Sequence, residues 1–421
     1  MSSIAVSAPD EARASASAAL PDVVVPQIAI AVFGDDPGLK ASAEAALGDR
    51  RMQRTRMSIH PGGLGAAIDV YNQAPTPNLI VVESDAEDEA LFARLETLAE
   101  HCLTSTKVIV VGRRNDVSLY RELLTRGVSD YLVTPVDIAA LINSVARLYR
   151  SSETLDIGRV CAFFGARGGV GSSTVAHNTA WALANELDAD VLLVDMDLPF
   201  GTVGLDFNTE APQGILDVIR DVDRLDGVLL DRLSVSRSDR LNLLTPPLSL
   251  DDAYDLEERE FDRLLEVVRS SARLTLLDLP HMWTGWVKRL LSDVDEIVIT
   301  AAPDLANMRN LKGILEFLGE SRPNDDPPKL VLNQIGIPKR PEIKPAAFAS
   351  AVGIDPAETI RFDAKLFGLA ANNGQMIREV SKNSKVAQGF QRLGQSISPA
   401  KQKTVSRKRA GGLAAKLLGK R

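Results

Sequence analysis

The stretch that most constrains this 421-residue chain is Gly165–Thr174, GARGGVGSST. An apolar run (VCAFF) leads into it and a helix-like stretch (SSTVAHNTAWALANEL) leads out. In such a strand, turn and helix, glycines let backbone N–H groups wrap a phosphate, and the helix start adds partial positive charge. The cradle comprises Gly165, Arg167, Gly168, Gly169, Val170, Gly171, Ser172, Ser173 and Thr174. Ser173 is placed to offer its hydroxyl to Mg²⁺, and Thr174 to reach an adjacent phosphate. A tight turn that binds nothing is the competing reading. The position at the first strand of an α/β series, with a serine pair opening the helix, favours a nucleotide site.

Short apolar runs alternate with amphipathic stretches along the chain. Gln27–Gly34, Asn78–Glu83, Lys107–Gly112 and Ser129–Thr134 read as buried parallel strands, and Val136–Tyr149 as a helix. A second series has strand candidates Arg159–Phe164, Val191–Asp195, Leu241–Leu244, Leu274–Asp278, Glu296–Ala301, Lys329–Asn333 and Glu358–Phe362, and a final helix Lys385–Ile397. The fold class is α/β, with two doubly wound parallel-sheet domains. The expected boundaries are a disordered leader 1–26, a first domain 27–150, a second domain 158–398 and a basic tail 399–421.

Charge and composition narrow the function classes. The tail carries eight Lys/Arg (Lys401, Lys403, Arg407, Lys408, Arg409, Lys416, Lys420, Arg421) and no acid, leaving 40 basic against 56 acidic residues elsewhere. An acidic body argues against general nucleic-acid binding, while the tail could meet an anionic surface. Cys102 and Cys161 have no metal-binding spacing, which favours a reducing compartment. His60, His101, His177 and His281 look too scattered for a metal cluster. No apolar run approaches the ~18 residues of a membrane span, and the leader lacks a signal-peptide pattern, so a cytoplasmic location is expected.

Gly165–Thr174 resembles the deviant Walker A motif of MinD/ParA ATPases, KGGxGK[ST][ST]. Arg167 stands at the signature-lysine position, which in that family reaches the partner's phosphates across a dimer. Ser172 stands at the lysine that stabilises charge on the β/γ-phosphates. The resemblance thus implies ATP and Mg²⁺ as ligands, but slow or absent hydrolysis. VLLVDMDLPFGTVGLDF resembles the family's second acidic motif, with Asp197 orienting attacking water and Asp195 as a metal-side or structural acid. LTLLDLP resembles a Walker B strand, with Asp278 near Mg²⁺ through water. Asp304 suits a helix N-cap, Arg309 the exposed face beyond it, and Asn333 the place where the family bonds the adenine edge.

Together GARGGVGSSTVAHNTAWALA, VDMDLPFGTVGLDF, PDLANMRN, LNQIGIPKRPEI and FDAKLFGLAANNGQMI look like the CpaE/TadZ proteins of Flp (Tad, type IVc) pilus assembly. That resemblance implies a homodimer that positions a pilus secretion ATPase and other Tad assembly proteins, often at a cell pole. Gln27–Tyr149 resembles a response-regulator receiver, with Asp35 and Asp36 at its acidic pair. Its switch chemistry is absent. Glu83 stands at the phosphoacceptor Asp, Gly112 at the hydroxyl residue, and Thr134 at the lysine before Pro135. A pseudo-receiver used for protein contact is the expectation.

Leu413, Leu417 and Leu418 share one helical side of the tail, so peripheral membrane contact competes there with a solvated segment. Two other functions stay open: a ParA-like partition ATPase for plasmids or chromosomes, and a signalling regulator with a receiver domain. Ser172 and the acidic body argue against the first, and Glu83 against the second. No specific nucleic acid is expected.

Overall fold

The structure is a computed structural model that describes residues 25, 28–86, 88–103, 105–149, 158–209, 214–220, 226–246 and 258–398. The leader and the basic tail lie outside the described residues apart from Val25.

Two sheets organise the chain. The first contains β1 (Ala29–Phe33), β2 (Arg56–His60), β3 (Leu79–Glu83), β4 (Lys107–Gly112) and β5 (Asp130–Val133), in the order β2-β1-β3-β4-β5. All its pairings are parallel. β1, β3 and β4 are buried over most of their length, as near-continuous runs of Val, Ile and Leu require when helices cover both faces. The sequence expectation missed β2. Its RMSIH pattern is half-exposed and polar because it lies on an edge.

The second sheet contains β6 (Arg159–Gly165), β7 (Val191–Asp195), β8 (Val235–Ser238), β9 (Leu241–Leu244), β10 (Leu274–Asp278), β11 (Glu296–Ala301), β12 (Lys329–Ile335) and β13 (Pro356–Arg361). Their order is β13-β12-β11-β6-β10-β7-β9-β8. β8 pairs antiparallel with β9 and the other pairings are parallel. β8 (VSRS) is a second polar edge strand that hydrophobic periodicity did not reveal. Phe164, Leu277 and Ile299 pack on one face of this sheet and Phe163, Leu276 and Val298 on the other, the alternation expected of strands covered on both sides.

Aspartates begin many of the helices. Asp36, Asp116, Asp137, Asp226, Asp304 and Asp363 each accept a first-turn N–H. Each such cap satisfies an otherwise orphaned donor and is stabilising by about 1 kcal/mol. Asp304 caps the helix Leu305–Ser321, as its position predicted.

The two sheets meet at their strand-start edges. Arg50 and Arg51 lie between the helix Pro37–Leu47 and β2, and Asp295 and Asp325 lie just before β11 and β12. Arg50 donates to Asp295 at 3.0 Å and to Asp325 at 2.8 Å, and Arg51 pairs with Asp325 and Asp49. Arg269 and Arg322 complete the cluster from the second unit. Burial pushes the Asp295 and Asp325 carboxyls up, but the surrounding guanidinium groups win and hold both below the usual range. This docking leaves the strand-end edges, where ligands of open α/β sheets bind, turned away from the contact.

Candidate functional site

β6 lies near the middle of the second sheet, between β11 and β10, and delivers Gly165 to the strand-end edge opposite Thr300 of β11. The loop beyond it turns through Gly169 at φ 78° and Gly171 at φ 86°, left-handed conformations that glycine adopts at little cost. A side chain at 171 would also strike Asn333, since its Cβ would lie 2.7 Å from Nδ2. The helix Ser172–Glu186 then begins, with Gly171 as its cap and Ser172, Ser173 and Thr174 in its first turn.

Four loop carbonyls are held by side chains from elsewhere. His281 Nδ1 lies 2.9 Å from the Gly165 oxygen, and Asn310 Nδ2 donates to Ala166 at 2.9 Å. Gln334 Nε2 donates to Gly169 and Asn333 Nδ2 to Val170, both at 2.8 Å. With carbonyls tied outward, the N–H groups are what the loop offers an anion. Ser172 Oγ, at the lysine position, is buried and has no hydrogen-bond partner. A buried orphan hydroxyl calls for an explanation, and a phosphate oxygen would satisfy it. Arg167 is exposed. Although burial pushes the Asp304 carboxyl up, the Asn307 amides and the Arg167 charge hold it low.

Below the loop, parallel register sets Asp195 at the end of β7 directly beside Asp278 at the end of β10. Asp195 is fully buried, accepts from the Asp197 and Val203 amides at 3.1 Å each, and faces Gly201, where any Cβ would collide with its carboxylate. Burial, then the Asp278 charge, push its carboxyl up to about 7. Asp197 is partly buried and accepts from the Phe200 amide at 3.2 Å, closing the turn after β7. Burial raises its carboxyl, and that amide offsets part of the rise.

Among the histidines that the sequence leaves scattered, His177 falls in with two acids. Its ring, fully buried, lies with Asp195 and Asp278 so that one ligand atom from each falls within 4.8 Å of the others. His177 Nδ1 lies 2.7 Å from Asp206 Oδ2, and Nε2 lies 3.2 Å from Asp278 Oδ2 without hydrogen-bond alignment. Burial pulls the imidazolium pKa down, but Asp206 and then Asp278 overcome it and raise it to about 10. The sequence held one usable signal: His177 is four residues beyond Ser173, on the same helical face. Asp206 and Asp278 join it only through the tertiary fold.

Asn333 stands next to the loop, but both its amide groups are engaged, Nδ2 by Val170 and Oδ1 by the Gln334 amide. In this conformation it braces the loop. Sequence reasoning missed the partner brace Gln334, whose φ of 58° is unusual for a residue with a side chain.

At the strand-end edge of the first sheet, Glu83 Oε2 accepts from the Asp35 and Asp36 amides at 2.6 and 2.8 Å. The acidic pair is occupied too. Asp36 caps the helix Pro37–Leu47, and Asp35 accepts from the Gly62 amide at 3.2 Å. Tyr131 fills the space beside Gly112, its hydroxyl 2.5 Å from where a Cβ would be, and donates to the Arg114 oxygen.

No protein-family profile matches the chain. Among curated proteins, the septum site-determining protein MinD of Bacillus subtilis is 24% identical over 181 residues, which is 42% of this chain and 66% of MinD, just under two thirds of that relative's length. A solved ParA family ATPase from Chlorobium tepidum is 25% identical, with a TM-score of 0.52 over 56% of this chain and 98% of its own. The chain belongs to the MinD/ParA family. The chain is also similar to a pilus assembly protein CpaE from Caulobacter crescentus, 43% identical over 31% of this chain and 98% of the solved chain, with a TM-score of 0.30. This MinD/ParA-like chain keeps the two strand-end acids in register and places the glycine loop above them.

Proposed function

We propose that this chain binds ATP with Mg²⁺, dimerises, and acts as a nucleotide-dependent scaffold that recruits or positions a Flp/Tad-type pilus secretion machinery, with weak or absent hydrolysis. The observation that carries this reading is the braced loop with an orphaned serine, Ser172, at its lysine position. The loop amides, Ser172 and Thr174 are assigned to the phosphates, and Arg167 to the outermost phosphate or to a partner copy's nucleotide. The residues fit a magnesium ion: Ser173 opens the helix, Asp195 and Asp278 lie below, and Asp278 Oδ1 is buried without a partner. Mg²⁺ bound with the nucleotide supplies charge neutralisation of the phosphates. Asp197 is assigned to orienting water. With serine in place of an ammonium group, charge developing on the transferred phosphoryl goes largely unopposed from the loop, hence slow turnover.

The pilus reading rests on the sequence blocks and on the CpaE likeness. The proposed partners are a second copy of the chain, a secretion ATPase and other assembly proteins, at a cytoplasmic, polar location. Among the described residues, no helix is long and apolar enough to cross a membrane. The tail assigned to peripheral membrane contact lies outside the described residues. The partition reading lacks the lysine. The signalling reading lacks an acceptor, because Glu83 is engaged by the amides of the loop it would have to control.

Nucleotide titration with and without Mg²⁺, followed by light scattering, tests the proposal. ATP affinity with a mass increase toward the dimer is expected. Neither affinity nor a mass change would leave a plain scaffold, and vigorous turnover would restore the partition-type enzyme. Ser172→Lys should raise turnover if the missing charge is the sole defect; no rise would locate further losses elsewhere.

A further inference from the structure

We propose that His177 Nε2, Asp195 and Asp278 form a site for a divalent first-row transition cation of the zinc or cobalt type, loaded without nucleotide. This inference does not depend on ATP binding. It shares Asp195 and Asp278 with the magnesium assignment and differs in having the His177 nitrogen as a ligand in place of the Ser173 hydroxyl.

Four observations carry it. The His177 ring is oriented from behind, with Nδ1 2.7 Å from Asp206 Oδ2, which also accepts from Thr202 Oγ1 at 3.1 Å. A carboxylate behind a histidine is how metal-ligating imidazoles are commonly held, because it fixes the tautomer that presents the Nε2 lone pair. Second, two donor atoms of the cluster are buried without an aligned hydrogen bond: His177 Nε2, which has only the ion-pair contact to Asp278 Oδ2 at 3.2 Å, and Asp278 Oδ1. Both side chains are almost wholly buried, at 0% and 3% exposure.

Third, the spacing of two of the ligands fits, and the third lies within 4.8 Å of both. Two ligands about 2.0–2.1 Å from a tetrahedral zinc lie roughly 3.3 Å apart, and His177 Nε2 lies 3.2 Å from Asp278 Oδ2. The Asp195 oxygens each accept one backbone amide, from Asp197 and Val203, and each retains a lone pair. Fourth, the setting is rich in acids. Three carboxylates, on Asp195, Asp206 and Asp278, surround one imidazole in a buried setting, and the loop brings no lysine. A divalent cation is the kind of ligand that such a concentration of buried acids around one imidazole accepts. The imidazole selects zinc, cobalt or iron over magnesium, which takes oxygen ligands. The competing arrangement is a metal-free ion triad in which His177 keeps its Nε2 proton; on metal binding that proton leaves to solvent.

The test uses the full-length, metal-stripped, nucleotide-free protein titrated with Co²⁺. One equivalent should bind with visible d–d absorption, be displaced by one equivalent of Zn²⁺, and resist a thousandfold excess of Mg²⁺. His177→Gln should abolish the spectrum. Asp206→Asn should weaken binding about 10–100-fold, as loss of an orienting partner does. Should His177→Gln fail to fold, pulsed EPR of Mn²⁺ bound to the wild-type protein decides, since a coordinated imidazole gives a nitrogen coupling. Absence of stoichiometric Co²⁺ uptake, equal competition by Mg²⁺, unaltered uptake in a folded His177→Gln, or a bound Mn²⁺ without nitrogen coupling would each overturn the site. ATP plays no part in these measurements, so their failure leaves the nucleotide proposal standing.

Discussion

Arg50→Met tests what joins the two halves of this chain. Arg50 is 6% exposed and touches two acids of the other unit, Asp295 at 3.0 Å and Asp325 at 2.8 Å. Methionine retains much of the buried volume and removes only the fork. Stripping one partner from a buried ion pair typically costs about 3–5 kcal/mol, mostly because the surviving charge is left buried alone. Here each acid keeps other support. Asp295 retains Arg269 and the Val160 amide at 2.9 Å, and Asp325 retains Arg51 and Arg322. The expected loss is therefore about 2–4 kcal/mol, at or just below the range for a fully orphaned charge. Urea unfolding read by tryptophan fluorescence measures it, since Trp181, Trp283 and Trp286 all belong to the second unit. The pH dependence has a definite sign. Folded Asp295 and Asp325 carboxyls lie below their ordinary value, so their contribution is present above about pH 4, the unfolded value, and is lost as pH falls through the folded values. Arg50→Met should weaken the protein from pH 5 to 8 and matter less in acid. A change under about 0.5 kcal/mol at pH 7, the size of an ordinary surface substitution, would refute the claim that this cluster holds the units together.

Other outcomes follow from the sites. Gly171→Ala meets both the left-handed φ of 86° and the Asn333 amide 2.7 Å from the new Cβ, so ATP affinity should fall at least about tenfold by isothermal titration; unchanged affinity would remove the loop from the nucleotide site. Gly168→Val is the weaker test, because a Cβ at 168 meets His281 at only ordinary contact, 3.5 Å. Neither the wild-type protein nor Glu83→Asp should take up label from radioactive acetyl phosphate, since the charge partner before Pro135 is Thr134; stable label at position 83 would restore a working receiver.

The sequence revealed what local chemistry dictates. Buried parallel strands must be apolar along their length, so β3, β4, β7, β9, β10 and β11 are visible as runs such as LIVVE and LTLLD. The glycine loop is visible because a backbone that wraps an anion needs residues without side chains. Edge strands β2 and β8 are not, because RMSIH and VSRS keep polar residues that face solvent. The charged clusters are least visible of all. Arg50 and Asp295 are 245 positions apart, and Arg50–Arg51 reads as an ordinary exposed pair until the fold buries it against three acids. His177 likewise acquires its meaning only when β7 and β10 bring Asp195 and Asp278 into register beneath it.

β11 and β12 run from the ion cluster to the glycine loop. Asp295 precedes β11, whose Thr300 oxygen accepts the Ala166 amide at 2.8 Å, and Asp325 precedes β12, whose Asn333 holds Val170. That continuity suggests a wire from the first unit to the nucleotide, but a connection through space transmits energy only if some element along it has two arrangements. Burial holds β11 and β12 to one register. They pair in parallel from Val298 to Ala301 against Lys329 to Leu332, and their central residues Ile299 and Leu330 are fully buried. A one-residue slip would exchange the residues on the two packed faces. With that register fixed by burial, Arg50→Met should lower stability while leaving ATP affinity within about twofold, or roughly 0.4 kcal/mol. Isothermal titration of the variant at pH 7, well below its unfolding midpoint in temperature, reads this directly. A shift in affinity beyond about tenfold would show that the strands relay docking of the first unit to the loop, and would make that contact a regulator instead of a clamp.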